Sequence, residues 1–320
     1  MKRPFFSVPG LLGINRRNAC YLLPGNPRSR YPLVDDKLRT KELLERHQIP
    51  TPELYFSITR NFEIQLLKTR NLPHEFVIKP ARGAEGRGIL VITSRSPRGW
   101  MKASGDVLTF ADIEYHISNI LAGLYSLGGV DDKAFVEDYI RSHSVFRNAA
   151  WQGVPDIRVI LYRGVPVMSM LRLPTSESDG KANLHQGAVG AGIDMLTGVT
   201  LGGVHHNRLI EKHPDTGAAI AGIRIPFWDD ILEIAAKTFE VFGLGYFGVD
   251  FVIDHILGPL ILELNARPGL NIQLANREGL RFRLDTVDRS GAEVEKEDWR
   301  RRVERSRRLT GLKAPAANSR

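Results

Sequence analysis

A chain of 320 residues with 42% apolar and 25% charged residues has the composition of an ordinary globular protein, long enough for two or three packed lobes and too apolar for wholesale disorder. Its single cysteine, Cys20, excludes a disulfide framework and any all-cysteine metal site, fits a reducing compartment, and reads as a small buried apolar residue. The formal net charge of +8 favours anionic partners such as nucleotides, acidic peptides, nucleic acid or lipid headgroups, and much of it sits near the C-terminus.

The opening residues pair a basic start with apolar side chains, but Pro4, Pro9, Gly10 and Gly13 interrupt any signal-peptide core. No later window approaches ~20 uninterrupted apolar residues, so a cytoplasmic protein without a membrane span is expected. Residues 1–34, rich in turn formers such as Pro24, Gly25, Pro27 and Pro32, read as an extended cover with no domain of their own. Asp35 and Asp36 can cap a helix to about His47, ended by Pro50 and Pro52. Lys37 lies in its first turn, a poor place for a cation on dipole grounds, and its plain reading is a solvated lysine.

Phe76 to Pro80, the loop Ala81 to Gly88 (ARGAEGRG) and Ile89 to Thr93 read as strand, glycine-rich loop, strand. A Walker loop has its lysine after the glycines and opens a helix; here Lys79 precedes them and the chain returns as a strand. Such a hairpin can offer backbone N–H groups to phosphate oxygens with Lys79 beneath, or it is simply a flexible turn. Phe110, Ile113, Ile117, Ile120, Leu121 and Leu124 predict a helix over 109–127, capped by Thr109 with Asp112 and stopped by Gly128 and Gly129. Lys133 to Ile140 (KAFVEDYI) predicts a strand whose polar, aromatic end can meet an adenine edge.

Asp156 to Tyr162 and Val165 to Leu171 form a hairpin across Arg163 and Gly164. Asp156 and Arg158 share a face and either pair with each other or face a ligand. Pro174 to Gly192 reads as a long irregular loop, with Lys181, Asn183 and His185 as its candidate ligand groups. His205 and His206, adjacent on an extended chain, point opposite ways and are not expected to act as joint ligands. Pro226 to Phe242 is a second amphipathic helix, stopped by Gly243.

The stretch Gly245 to Asn271 predicts a second hairpin, with Asp254, His255, Gly258 and Pro259 as its turn. If Ile253 faces Leu260, then Asp250 faces Glu263, with Cβ atoms ~5 Å apart. Val249, Phe251, Ile253, Leu260, Leu262 and Leu264 then make an apolar face, while Asp250, Glu263 and Asn265 share the other. Three hard oxygen donors suit Mg²⁺; the competing reading is a solvated acidic face. Trp299 to Arg308 is an arginine-rich helix or tail, either a nucleic-acid or acidic-partner site or, as the lack of interleaved aromatics favours, a solvated and frayed end. The last ten or so residues are expected to be disordered.

The series D-D-K, a lysine before a glycine-rich hairpin, V-E-D-Y-I, D-I-R, K-A-N-L-H, G-V-D-F and E-L-N-A-R-P-G resembles the ATP-grasp superfamily over Val34 to Leu274. Within it the chain resembles RimK-like alpha-L-glutamate ligases, and N-R-R-N with Y-P-L-V-D-D-K looks like the related branch. The resemblance implies an α/β (α+β) ATP-grasp fold, two lobes clamping ATP, with a shortened N-terminal segment. The boundaries would be 1–34 for the cover and 35–280 for the ATP-grasp domain, with a lid lobe at 72–135 and a metal-binding lobe at 136–280. A basic tail would occupy 281–320.

By position, the resemblance makes Lys37 and Lys79 phosphate contacts and Gly83, Gly86 and Gly88 the phosphate-covering loop. Glu137, Asp138, Tyr139 and Ile140 become the adenine hinge, and Asp156, Lys181 and Asn183 nucleotide contacts. Asp250, Glu263 and Asn265 become the ligands of two Mg²⁺ ions, with Mn²⁺ as an alternative. Arg158, Arg267 and Lys79 are the candidate catalytic groups. The implied activity is ADP-forming ligation of an amino acid, glutamate-like, to a peptide, protein or amine acceptor through an acyl phosphate. A non-catalytic ATP-binding module that recruits an acidic partner is the alternative; nucleic acid is set aside, and oligomerisation is left open. Two departures stand out: only about 34 residues precede the first lysine, a third of a typical domain, and Gln186 follows N-L-H where glutamate ligases tend to carry a basic residue.

Overall fold

The computed structural model describes residues 8–83, 86–126 and 128–309. Two compact units divide the chain: one formed by Asp35–Glu45 and Pro50–Ile140, the other drawn from Met1–Val34, Arg46–Ile49 and Arg141–Arg320. Among the described residues no helix is long and apolar enough to cross a membrane. The expected disorder of the last ten or so residues concerns a segment that lies outside the described residues, as do Ala84 and Glu85 of the glycine-rich loop.

In the first unit α1 (Lys37–Arg46) precedes β1 (Leu54–Ile58), β2 (Phe76–Pro80), β3 (Leu90–Ser96), β4 (Gly99–Lys102) and β5 (Val107–Leu108). Then come α2 (Phe110–Leu121) and β6 (Ala134–Asp138). The strands form one antiparallel sheet in the order β1-β6-β2-β3-β4-β5. β6 and β2 are interior strands and read as nearly unbroken apolar runs because both their faces are covered. Asp36 caps α1, its Oδ1 accepting from the N–H groups of Leu38 and Arg39 at 3.1 and 3.3 Å.

In α2, Thr109 and Asp112 form the expected reciprocal cap. Ile113, Ile117 and Ile120 are fully buried against Phe76, Ile78 and Ile92. The helix stops at Leu121, six residues before the expected end at 127. Gly123 turns the chain at φ 78°, with Val130 O only 2.2 Å from where a Cβ would sit, so Leu124 is exposed instead of continuing the stripe. Leu127 lies outside the described residues.

The second unit contains β7 (Asp156–Tyr162), β8 (Val165–Leu173), β9 (Val189–Ile193), β10 (Thr200–His205), β11 (Arg208–Ile210), β12 (Tyr246–Asp254) and β13 (Gly258–Asn265). Its helices are α3 (Trp228–Phe242), α4 (Ile272–Asn276), α5 (Leu280–Arg289) and α6 (Trp299–Arg308). The sheet is antiparallel, in the order β11-β10-β9-β8-β7-β12-β13. The irregular loop expected over 174–192 ends at Ala188, because Val189–Ile193 pairs with β8 and β10. Gly192 is a strand residue because α4 packs onto bare backbone there: a Cβ would meet Ala275 O at 2.5 Å.

Three further expectations are corrected. The N-terminal segment is not extended: Ile14–Arg17, Asn18–Leu22 and Leu23–Gly25 are helical turns. They bury Tyr21 and Leu22 with Tyr162, Tyr246, Leu280 and Leu284. Cys20 faces outward and is exposed. The arginine-rich segment is a docked helix, not a frayed tail. Arg302, 1% exposed, bonds Glu240 and covers the Phe239 ring at 5.1 Å, while Arg305 pairs with Glu297 and Arg307 with Asp229. Arg302 is thus spent inside the fold and Arg305 is partly buried in its pair, while Arg307 pairs at the surface.

Candidate active site

The first unit holds one group of candidate residues, the glycine-rich loop and its lysines. Lys79 on β2 pairs with Glu137 on β6, the neighbouring strand. Glu137 is 2% exposed, and its second oxygen meets Lys41 at 2.8 Å, a residue that no sequence pattern singles out. Burial alone would push the Glu137 carboxyl up; the ammonium groups of Lys79 and Lys41 outweigh it and hold the carboxyl below the usual carboxylate range. The Glu137 side chain is therefore a lysine clamp, and the Asp138 N–H already donates to Glu53 O at 2.9 Å. The Tyr139 N–H likewise donates to Asp138 Oδ1 at 2.9 Å, so the expected adenine contacts through backbone N–H groups narrow to the buried Ile140.

Lys37 is not a solvated lysine. Its Nζ donates to Gly83 O at 2.5 Å, so the first turn of α1 is tied to the root of the glycine-rich loop. Gly83 needs to be glycine, because a Cβ would lie 2.3 Å from Pro80 Cγ; Gly86 and Gly88 have φ of 72° and 75°. Asp132 holds the same root, accepting from Arg82 N at 3.0 Å and from Ser126 Oγ at 2.7 Å.

In the second unit the site is a buried charge cluster. Asp250 and Glu263 stand opposite each other on β12 and β13, as expected, and Gly248 opposes Asn265. The turn end differs: Ile253 pairs with Pro259 instead of Leu260, and Leu262 is an unpaired bulge residue. Ile261 thereby takes a buried place opposite Phe251, and Leu262 is half-buried.

Asp250 is fully buried. Arg158, directly across the ladder on β7, donates Nε to Oδ1 at 2.7 Å and Nη2 to Oδ2 at 2.5 Å, and Arg172 on β8 adds Nη2 to Oδ2 at 2.7 Å. Arg172 also pairs with Asp156, its register partner. Asp156 and Arg158 thus do not pair with each other: Asp156 bonds Arg172, and Arg158 is a buried clamp on Asp250.

Burial pushes Asp156 up, to about 7, with Arg172 opposing and Asp250 adding to the rise. On Asp250 the same burial is outweighed by Arg158 and Arg172, and the carboxyl is held below its usual range. Asp156, Asp250 and Glu263 thus gather three carboxyls around the guanidinium groups of Arg158 and Arg172.

The half-buried oxygen donors of Glu263 and Asn265, side by side on β13 at the edge of this cluster, fit a hard divalent cation. Asp250 fits less well than expected, since both its oxygens already accept from guanidinium groups. As arranged it anchors the arginines; Glu263 is the less buried carboxyl of the facing pair, and Asn265 Oδ1, which accepts from Arg267 N at 3.0 Å, is the amide oxygen on the same strand.

The N-terminal segment braces this hairpin. Arg17 donates Nη1 to Pro268 O at 2.8 Å, and Asn26 forms paired bonds with the Tyr246 backbone at 2.7 and 2.8 Å. Arg267 is exposed and lies over the Tyr31 ring at 4.4 Å. Lys181 is exposed near Asp179, and Asn183 is taken up locally, its Oδ1 accepting from His185 N at 3.0 Å.

Residues 16–289 match the family described as sugar-transfer associated ATP-grasp. The chain belongs to that family. The match establishes the ATP-grasp superfamily implied by the sequence, though not its RimK-like branch. No curated protein matches the sequence.

Solved structures similar to this ATP-grasp chain include a D-cycloserine synthetase, DcsG, at 17% identity, covering 82% of this chain and 72% of that one with a TM-score of 0.45. A Bacillus anthracis D-alanine–D-alanine ligase complexed with ATP is 13% identical, covering 84% and 68% with a TM-score of 0.46. The ATP-grasp ligase PsnB, complexed with a minimal precursor, is 13% identical with a TM-score of 0.43; the match covers 82% of this chain and spans 62% of PsnB's length.

Proposed function

We propose that this ATP-grasp protein is an ATP-dependent ligase joining a carboxylate to an amine. The observation that carries the reading is the β12/β13 hairpin, where Glu263 and Asn265 sit beside the buried cluster of Asp156, Asp250, Arg158 and Arg172. ATP with Mg²⁺ would supply an activated phosphoryl group for attack by a substrate carboxylate, giving an acyl phosphate that an amine opens to an amide. Glu263 and Asn265 would hold the metal through hard oxygens. Lys79, kept in place by Glu137, and Lys37, tethered to Gly83, would meet phosphate oxygens together with the loop N–H groups at Gly86 and Gly88. Arg267, exposed and held over the Tyr31 ring, is the guanidinium best disposed to take a substrate carboxylate.

An amino-acid donor with a peptide, protein or amine acceptor is the finer reading, and Gln186 weakens glutamate as the donor. The test is incubation with ATP, Mg²⁺ and a pool of amino acids, peptides and amino-sugar derivatives. Acceptor-dependent release of ADP and phosphate is expected, with a mass increase matching an amide. Nucleotide binding with no acceptor-dependent ADP release across that pool would overturn the ligase reading in favour of a binding module.

A further inference from the structure

We propose that Glu177, His205 and His206 form a second metal site, specific for a transition ion of the Zn²⁺ class and independent of the Glu263 and Asn265 donors. The alternation that sets the two histidines on opposite sides of a strand does not apply to them. β10 ends at His205, and His206 and Asn207, with φ of 46° and 61°, make the two-residue turn into β11. That turn swings both rings to one side, with centroids 4.2 Å apart. Glu177 comes in from the loop after β8, its Oε2 lying 2.8 Å from His206 Nε2 and 3.4 Å from His205 Nε2. One ligand atom from each residue lies within 4.8 Å of the others.

Ligand atoms bonded to one Zn²⁺ at ~2.0–2.2 Å lie roughly 3.3 Å from one another, so small side-chain rotations admit the ion. His205 Nε2 would exchange its present 2.9 Å contact with Gly187 O for the metal. Two imidazoles and a carboxylate select Zn²⁺, Co²⁺ or Ni²⁺ over Mg²⁺.

The frame around the cluster is fixed in advance. Thr175 and Ser178, both buried, bond each other through backbone and hydroxyl groups, and Thr175 Oγ1 donates to Gly187 O at 2.9 Å. Ser176 N donates to Asp215 at 2.9 Å, and His213 Nε2 donates to Pro174 O at 2.9 Å. Gly187, at φ 100°, leaves the space Glu177 occupies: a Cβ there would lie 2.7 Å from Glu177 Cδ. His206 also lines a cavity of about 180 Å³ with His185, Asn207 and Asn271. The three protein ligands therefore leave a fourth position where that cavity can supply water or a ligand oxygen, the arrangement of an open zinc site.

The test uses the full chain stripped by chelator and titrated with Zn²⁺ by calorimetry, then with Co²⁺ by visible absorption. One equivalent should bind, with the intense d–d bands of four-coordinate Co²⁺, and excess Mg²⁺ should not displace it. His206→Ala, His205→Ala and Glu177→Gln should each weaken binding more than about tenfold with an unchanged circular dichroism spectrum, while His255→Ala should bind as wild type. Absence of stoichiometric Zn²⁺ binding, or wild-type affinity in both His206→Ala and Glu177→Gln, would overturn the site.

Discussion

Arg158 and Asp250 face each other across β7 and β12, both buried, and the guanidinium holds the carboxylate through two parallel hydrogen bonds. The pair distinguishes Asp250 from Glu263, two residues that the sequence reading places together as magnesium ligands. Asp250→Ala would strand Arg158 and Arg172 with a missing counter-charge, a loss of about 3–5 kcal/mol. Glu263→Gln, at a half-buried position, should unfold with wild-type denaturant dependence yet produce no ADP. Urea unfolding and an ADP-release assay on the two variants check this. Wild-type stability in Asp250→Ala would contradict the anchoring role, and wild-type turnover in Glu263→Gln would contradict the metal role.

Lys41 is expected to act on nucleotide through Glu137, which it meets at 2.8 Å, and not by contact. Lys41→Met removes one of the two ammonium groups on a carboxylate that is 2% exposed, leaves Glu137 with Lys79, and should cost about 1–3 kcal/mol. ATP affinity should fall modestly, because Lys79 is drawn more tightly to the remaining carboxylate charge. Lys79→Met should lose far more affinity for a comparable loss of stability. Calorimetric ATP titration of the two variants checks the order; equal losses of affinity would make Lys41 a direct contact.

How much of the fold is legible in the sequence depends on where the ladders stay regular. The hairpins, α2 with its Thr109 cap, and the Asp250 and Glu263 pairing follow from alternation and turn chemistry. Arg172 does not follow, for a specific reason. Counting back from Tyr162 opposite Val165 puts Asp156 across from Leu171, but a bulge that skips Val167 shifts the partner to Arg172. The Val167 carbonyl is met by Arg283 Nη1 at 2.8 Å. A bulge at Leu262 likewise means that Asp250 meets Glu263 although Ile253 does not meet Leu260. Bulges leave no mark in a hydrophobic pattern, and neither does a buried ion pair such as Arg302 with Glu240. The histidine cluster escapes strand alternation because His206 already belongs to the turn, where alternation no longer holds.

Acid should destabilise the second unit through His213. Its Nε2 donates to Pro174 O while Nδ1 accepts from Asp215 N and Thr216 N, so the neutral ring is the form the fold uses. Burial lowers its pKa below the ordinary 6.5, against the pull of Pro174 O and Asp215. The unfolded chain therefore binds more protons between the folded value and 6.5. The contribution is fully present above the unfolded value and is lost as pH falls toward the folded one. The unfolding free energy of wild type minus that of His213→Gln, measured by urea titration at a series of pH values, should shrink steadily as pH is lowered from neutral through the ordinary imidazole range. A pH-independent difference would mean that His213 binds its proton equally well in both states.

The docking of α6 gives the last expectation. Arg302 is almost wholly buried; its stem packs on Phe239 and its head meets Glu240, and Val303 and Ser306 share the buried face. Arg302→Ala therefore removes packing as well as charge and leaves a cavity, at a cost of about 2–4 kcal/mol. Arg308, which is mostly exposed and near only Glu304, should be replaceable by alanine without measurable loss. Wild-type protein should resist proteolysis through this helix, whereas Arg302→Ala should be cut after its arginines. Equal stability and equal cleavage in the two variants would mean that the helix is held by something other than its buried face.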